Sequence, residues 1–246
     1  MLSSTAPLSV RSFAPAGAPS GPPVLLVHGF TSDGATDWLA TGWPQALNAA
    51  GRTVVVPDLR GHGDSPAPSD PGQATPTAMV DDMIAALDGA ATVDVIGYSL
   101  GARLAWELPH RAGLTVRRMV LGGLSPVEPF GAVDLDAVRA HLDGAPAPAD
   151  GPSAMITAMV TAPGLDSRAL TTCIEGLREE PFEPTTFDLP TLFVAGAADP
   201  MTAGLGELAA LIPGAAVVEV PGDHLGALRS NEFRSAALDF LAVPEH

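Results

Sequence analysis

The sequence predicts an α/β domain with a mostly parallel central sheet and helices on both faces. Its 246 residues contain short, continuous apolar runs, among them residues 24–27, 53–57 and 191–195, that alternate with stretches of helical periodicity. Continuous apolar strands are typical of parallel sheets that are covered on both faces, because such strands have no solvent-facing side. A chain of this length is able to bury a substantial core.

The elements follow one another in a regular order. A period-2 run at residues 8–13 predicts an edge strand, and a turn region rich in Pro and Gly separates it from the buried strand at residues 24–27. The other predicted elements are strands at 53–57, 92–96, 116–121, 191–195 and 216–220, and helices at 76–87, 102–108, 205–211 and 232–241.

The alternation of strands and helices stops between residues 125 and 186. This stretch contains eight prolines, and short amphipathic pieces lie between them near residues 134–142, 153–160 and 167–177. The pattern predicts an insertion of short helices. We therefore expect one core, formed by residues 1–124 and 187–246, and a helical cap at residues 125–186.

Charge and composition exclude several classes of partner. The net charge is −16 and all twelve cationic residues are arginines, which argues against nucleic acid or an anionic membrane as a partner. No apolar run is long enough for a bilayer span, and residues 1–5 lack the features of a signal peptide, so we expect a soluble cytoplasmic protein. Cys173 is the only cysteine, which excludes an internal disulfide, and no Cys/His cluster has metal-ligand spacing.

The motif GYSLG at residues 97–101 carries the strongest functional signal. It follows an apolar strand and precedes a helical run, which is the context in which a G-x-S-x-G motif presents a nucleophilic serine. The hydroxyl of Ser99 is expected at the carboxyl end of the strand, beside a helix N-terminus that favours a developing negative charge. The alternative interpretation is a merely structural turn.

A serine nucleophile needs a base and an acid that orients the base. Asp199 follows the strand that ends at residue 195, and His224 follows the strand that ends at residue 220, so both are expected at the same sheet edge as Ser99. Asp223 is an alternative acid, although a turn residue is the simpler interpretation of it. His28 and His62 also follow strands, and each is expected either to approach the site or to brace a loop.

Acyl transfer further requires donors for an oxyanion. Two backbone N–H groups fit this role, that of Leu100 after the nucleophile and that of Phe30 in the loop after the first buried strand.

Together these motifs resemble the α/β-hydrolase fold superfamily over almost the whole chain. The resemblance rests on HGF at residues 28–30, DLRGHGDS at 58–65, GYSLG at 97–101, Asp199 and His224. It implies a cofactor-free Ser-His-Asp triad and a cap in the position of residues 125–186. This sequence departs from the superfamily pattern in two respects, since its N-terminal antiparallel strands look curtailed and its cap is small.

Serine at position 99 argues against haloalkane dehalogenases and epoxide hydrolases, which have aspartate there. Carboxylesterases, lactonases and perhydrolase-like enzymes remain open. Arg103, together with HGF at residues 28–30 and Trp38, is also similar to the menaquinone-pathway synthase that eliminates pyruvate, a lyase in which this arginine binds a substrate carboxylate. The alternative for Arg103 is an ion pair with an acidic neighbour that braces the helix.

The residues of the predicted cap indicate which kind of substrate to expect. Its apolar residues at helical spacing, among them Phe130, Met155 and Met159, are expected either to cover the site or to pack the cap itself. With His28, Trp38 and Arg103 they are the candidate substrate-binding residues. We predict a serine carboxylesterase-like hydrolase for small to medium acyl groups; the non-enzymatic alternative is a small-ligand receptor on the same scaffold. A partly covered cap leaves room for a homodimer contact.

Overall fold

A computed structural model describes residues 6–242 of the chain. Residues 1–5, the segment in which a signal peptide was not expected, lie outside these described residues. Over the described range, no helix is long and apolar enough to cross a membrane.

Within residues 6–242, seven strands form one sheet in the order β1-β3-β2-β4-β5-β6-β7. Among these strands only β1 runs antiparallel to its neighbour, pairing Val10 with Pro57 of β3, and the other pairs are parallel. The predicted fold class is confirmed, and β1 lies at the edge of the sheet where an edge strand was predicted. The strands are β1 (Val10–Phe13), β2 (Val24–Val27), β3 (Val54–Pro57), β4 (Thr92–Tyr98), β5 (Thr115–Gly122), β6 (Thr191–Gly196) and β7 (Ala216–Val220).

Helices cover both faces of the sheet. They are α1 (Trp43–Ala49), α2 (Pro76–Ala85), α3 (Leu100–Ala105), α4 (Leu135–Leu142), α5 (Gly151–Val160), α6 (Ser167–Glu179), α7 (Leu205–Ala209), α8 (His224–Arg229) and α9 (Asn231–Ala242). A single π-helical turn (Ala35–Leu39) precedes α1, and short 3₁₀ turns lie at Pro71–Ala74, Leu108–His110 and Pro200–Thr202. The π-turn, α1 and α8 had no counterpart among the predicted elements.

The apolar strands divide their side chains between two hydrophobic layers. In β2, Leu25 and Val27 belong to the layer under α2, α3 and the cap, while Val24 and Leu26 belong to the layer under α1, α8 and α9. All four are completely buried, which is why this strand carries no polar position. The sheet edge where the parallel strands end therefore projects from a core that is packed on both sides.

Residues 125–186, which we call the cap segment, lie between β5 and β6 and contain α4, α5 and α6. Each of these helices begins at an aspartate whose carboxylate accepts backbone N–H groups of the first turn: Asp134, Asp150 and Asp166. Helix α6 packs closely on the 3₁₀ turn at Pro71–Ala74, and a Cβ at Gly176 would lie 2.2 Å from the Pro71 carbonyl oxygen. The cap segment is thus seated on the core.

Candidate active site

Ser99 lies on a sharp turn between β4 and α3. Its φ of 53° and ψ of −116° are unusual for a residue with a side chain, and its N–H donates to the Gly122 carbonyl of the neighbouring strand at 2.9 Å. Glycines on both sides make the turn possible. A Cβ at position 97 would lie 2.5 Å from the Gly101 carbonyl oxygen, and one at position 101 would lie 2.1 Å from the Val27 carbonyl oxygen. The local sequence therefore dictates the strained presentation of this serine.

His224 and Asp199 meet at the same edge of the sheet. Asp199 follows β6, His224 begins α8 directly after β7, and the imidazole Nδ1 lies 2.7 Å from Asp199 Oδ2. The other carboxylate oxygen accepts the Met201 N–H at 3.0 Å. No part of the Asp199 side chain reaches solvent, whereas 24% of the His224 side chain does. A buried carboxylate thus orients a partly exposed imidazole and keeps Nδ1 protonated, which leaves Nε2 for proton transfer.

Asp223, the alternative acid, has a different role. Its carboxylate accepts the Gly226 N–H at 2.8 Å and caps the N-terminus of α8.

Ser99 and His224 line one cavity of about 520 Å³ between the sheet edge and the cap segment. Within residues 6–242, the Ser99 hydroxyl and the His224 ring make no direct hydrogen bond. Of the two hydrogen bonds expected for a proton relay, the structure contains the one between His224 and Asp199. Catalytic hydrogen bonds of unliganded sites are often long and shorten when substrate binds.

Phe30 and Leu100, the residues with the candidate oxyanion donors, also line this cavity. The loop that carries Phe30 runs close to Ser99, because a Cβ at Gly29 would lie 3.5 Å from the Ser99 Cβ. Asp37 holds the loop in place: its carboxylate accepts the Gly29 N–H at 2.9 Å and the Ser32 hydroxyl at 2.5 Å. This role of Asp37 had no signal in the sequence beyond its position shortly after the loop.

Neither His28 nor Trp38 lies on the cavity wall, and the expectation that they contact substrate is corrected accordingly. His28 is completely buried; its Nε2 accepts the Leu59 N–H at 2.9 Å and its Nδ1 donates to the Gly29 carbonyl at 2.8 Å. Both ring nitrogens therefore brace loops. Burial lowers the pKa of this imidazole below its ordinary value. Trp38 is also completely buried and packs edge-on against Trp43, with ring centroids 5.3 Å apart.

His62 braces the same region. It is buried, its ring lies 5.3 Å from that of His28 and 5.5 Å from that of Phe30, and its Nδ1 donates to the Arg60 carbonyl at 3.0 Å. Burial, followed by the neighbouring His28, lowers the pKa of His62 to about 3. The ring therefore remains neutral at physiological pH.

Arg103 lies on the cavity wall, but its guanidinium is already occupied by protein groups. It donates to Glu107 Oε1 at 2.8 Å and to the Glu180 carbonyl at 3.0 Å, and it lies 4.8 Å from the centre of the Phe182 ring. Burial lowers its pKa, an effect opposed by the surrounding carboxylates of Glu107 and Glu128. Pairing with an acidic neighbour was the alternative interpretation of this residue, and the structure contains that pair.

The three cap residues Phe130, Met155 and Met159 line the cavity, as expected for a cap with an apolar underside. Phe130 packs against Phe30 with ring centroids 5.0 Å apart. The sequence had not indicated Met201 and Leu225, which also line the cavity. Their positions, two residues after Asp199 and one after His224, are the signal that could have identified them.

Residues 6–242 contain no group of three or more His, Cys, Asp or Glu side chains that could hold a metal ion.

Comparisons with known proteins agree with this fold. Residues 22–149 match the alpha/beta hydrolase fold family. Epoxide hydrolase 3 of Siraitia grosvenorii is 37% identical over 92 residues, which are 35% of this chain and 27% of that relative. The chain thus matches only about a quarter of the length of that curated relative.

Among solved structures, a hydrolase from Pseudomonas aeruginosa PA01 is 27% identical, with a TM-score of 0.72 over 96% of this chain and 94% of that one. A thermophilic esterase from Thermogutta terrifontis has a TM-score of 0.72 at 22% identity, over 95% and 92% of the two chains, a likeness that concerns the fold alone. The chain belongs to the α/β-hydrolase fold family.

Proposed function

We propose that this protein is a serine hydrolase that cleaves neutral carboxylic esters of small to medium acyl groups through an acyl-enzyme. The observation that carries the proposal is the Asp199–His224 hydrogen bond of 2.7 Å on the rim of the cavity that also contains Ser99. A serine, a tautomer-fixed imidazole and a buried carboxylate are the three groups that nucleophilic acyl transfer needs.

In the proposed mechanism the Ser99 hydroxyl attacks the ester carbonyl carbon while His224 Nε2 accepts its proton. The tetrahedral intermediate collapses, the C–O bond to the alcohol breaks, and His224 returns the proton to the departing alkoxide. Water then attacks the acyl-enzyme with His224 again as base, which releases the carboxylic acid and restores Ser99. Asp199 stabilises the imidazolium in both half-reactions.

The oxyanion of each tetrahedral intermediate is proposed to bind the backbone N–H groups of Phe30 and Leu100. Leu100 is the first residue of α3, so its N–H is one of those that have no partner within the helix. Asp37 accepts two hydrogen bonds from the loop that carries Phe30. These bonds support a Phe30 N–H whose position is fixed before substrate binds.

Two features support a neutral, apolar substrate. The cavity volume of about 520 Å³ is within the usual range for small-molecule sites, and its wall is mostly apolar. Its one arginine, Arg103, already contacts two carboxylates, a carbonyl and an aromatic ring, which weakens the case for the lyase alternative, in which that arginine would bind a substrate carboxylate.

The serine at position 99 argues against an epoxide substrate, although epoxide hydrolases are among the relatives. Opening an epoxide with a serine oxygen would leave an ether on the enzyme, and ethers resist hydrolysis by an imidazole and water. A serine ester, in contrast, is hydrolysed by the same imidazole that formed it. Ester or lactone substrates therefore suit this nucleophile better than epoxides do.

A panel of p-nitrophenyl esters and lactones with different acyl lengths tests the proposal. We expect a burst of p-nitrophenol and steady turnover by the parent, and loss of both in Ser99→Ala. Equal turnover by the parent and Ser99→Ala would refute it, and saturable ligand binding without any turnover by the parent would instead indicate the receptor function.

A further inference from the structure

Both chain segments that connect the cap to the core are joined to the nucleophile helix by one buried ion pair. Arg103 lies four residues after Ser99, and its Nε is 4.0 Å from Glu128 Oε2. Only 8% of the arginine side chain and 15% of the glutamate side chain are exposed. Both residues line the cavity.

Glu128 connects the first segment of the cap to the last. Its Oε1 accepts the N–H of Phe130 at 3.1 Å, in the stretch between β5 and α4, and its Oε2 accepts the N–H of Phe182 at 3.2 Å, in the stretch between α6 and β6. One carboxylate therefore holds together two pieces of chain that are 52 positions apart and that lie at opposite ends of the cap helices.

Arg103 connects that junction to the core. Its guanidinium donates to the Glu180 carbonyl at 3.0 Å and lies over the Phe182 ring, which packs edge-on against Trp106 with a centroid distance of 5.6 Å. Since α3 starts directly after Ser99, these contacts fix the last segment of the cap relative to the nucleophile.

On the basis of the proposed function, we propose that Arg103 and Glu128 are positioning residues that set the height of the cap above Ser99 and thereby the acyl selectivity of the cavity. The pair acts through Phe130, which covers the cavity and contacts Phe30. When the pair is broken, the core residues Ser99, His224 and Asp199 keep their places, whereas the apolar cap surface that contacts a longer acyl chain loses its fixed position.

Two variants of Glu128 separate charge from hydrogen bonding. Glu128→Ala removes both acceptors, so the amide protons of Phe130 and Phe182 are expected to exchange with solvent at least about tenfold faster, as measured residue by residue by NMR. Glu128→Gln keeps the volume and one acceptor oxygen, so it protects at most one of the two amides. The matched control is Glu107→Gln, which removes an acidic partner of Arg103 without touching the cap, and both amides should exchange as in the parent.

The kinetic readout is the response to acyl length. In both Glu128 variants, the ratio of kcat/KM for p-nitrophenyl hexanoate to kcat/KM for the acetate should fall roughly tenfold relative to the parent. Should Glu128→Ala fail to fold, Glu128→Gln supplies the same comparison.

Unchanged amide exchange at both positions in the Glu128 variants, or an equal loss of kcat/KM for acetate and hexanoate, would overturn the proposal. Failure of the parent to hydrolyse any ester would overturn the proposed function instead, and the exchange measurement would still decide the role of the pair.

Discussion

The hydrogen bond between Asp199 and His224 makes the sharpest prediction about activity. The two carboxylate oxygens of Asp199 accept hydrogen bonds from the Met201 N–H at 3.0 Å and from the His224 Nδ1–H at 2.7 Å. In Asp199→Asn the buried side chain has only one oxygen for these two donors. If the amide oxygen stays with the backbone N–H, its NH₂ group faces Nδ1, and the imidazole must adopt the opposite tautomer. Nε2 then carries the proton and is no longer a base toward Ser99.

The size of the effect follows from these alternatives. If the amide rotates so that its oxygen accepts the His224 Nδ1–H, its NH₂ group faces the Met201 N–H. That buried N–H then has no acceptor, which costs about 1–3 kcal/mol, so the tautomer with the proton on Nε2 is favoured. A wrongly protonated catalytic histidine lowers kcat by about 10⁴-fold, or about 5 kcal/mol of transition-state stabilisation. The fold should persist, because the substitution conserves the shape of the side chain.

The assay is steady-state hydrolysis of p-nitrophenyl acetate by the parent, Asp199→Asn and the matched control Asp223→Asn. Asp223 caps α8 through the Gly226 N–H, and asparagine caps a helix about as well as aspartate, so the control should keep its kcat. A kcat of Asp199→Asn within about threefold of the parent would contradict the assignment of Asp199. A large loss in Asp223→Asn alone would transfer the role to that residue.

Three further outcomes concern stability. Ser99→Gly should abolish turnover yet unfold in urea with about 1 kcal/mol more stability than Ser99→Ala, because glycine adopts the φ of 53° without strain; lower stability than the alanine variant would contradict this. The folded-state pKa of His62, about 3, is below the unfolded value of about 6.5, so the unfolded chain binds a proton first as the pH falls, and stability is lost from about pH 6.5 downward. Between pH 7 and 4.5, His62→Asn should therefore lose roughly 2–3 kcal/mol less stability in urea than the parent or the exposed control His110→Gln; parallel losses in all three would refute this reasoning. Gly101→Ala, whose Cβ would lie 2.1 Å from a carbonyl oxygen of β2, should cost about 3 kcal/mol or more, whereas Gly151→Ala, with open space around it, should be neutral or slightly stabilising by thermal unfolding.

Much of the sheet was predictable because its central strands are buried on both faces. Val24–Val27 has the predicted bounds, since a continuous apolar run between turn formers has few other interpretations. Ala216–Val220 also has the predicted bounds, although this edge strand is mostly exposed. Helix α1 was missed because it has only seven residues, with a proline in its first turn and too few positions for a periodic signal. The π-turn before it likewise has no sequence pattern of its own.

Chain order and strand ends were enough to nominate Ser99, Asp199 and His224. They were insufficient for side-chain direction: His28 also follows a strand, yet both of its ring nitrogens bond within the core. The contacts of Arg103 could not be predicted from the sequence either, because its partner Glu180 is 77 positions away, at the far end of the cap segment. Such contacts depend on tertiary packing that no local pattern encodes.

Tyr98, the residue directly before Ser99, donates its phenol hydrogen to the backbone carbonyl of His224 at 2.5 Å. Burial, followed by the nearby Asp199 carboxylate, raises the pKa of this phenol above its ordinary value, so the hydrogen stays in place in alkaline solution. Tyr98 thus ties the main chain of His224 to the residue next to Ser99 through a contact that keeps its proton in alkaline solution. Inactivation at alkaline pH would therefore need a cause other than the loss of this contact.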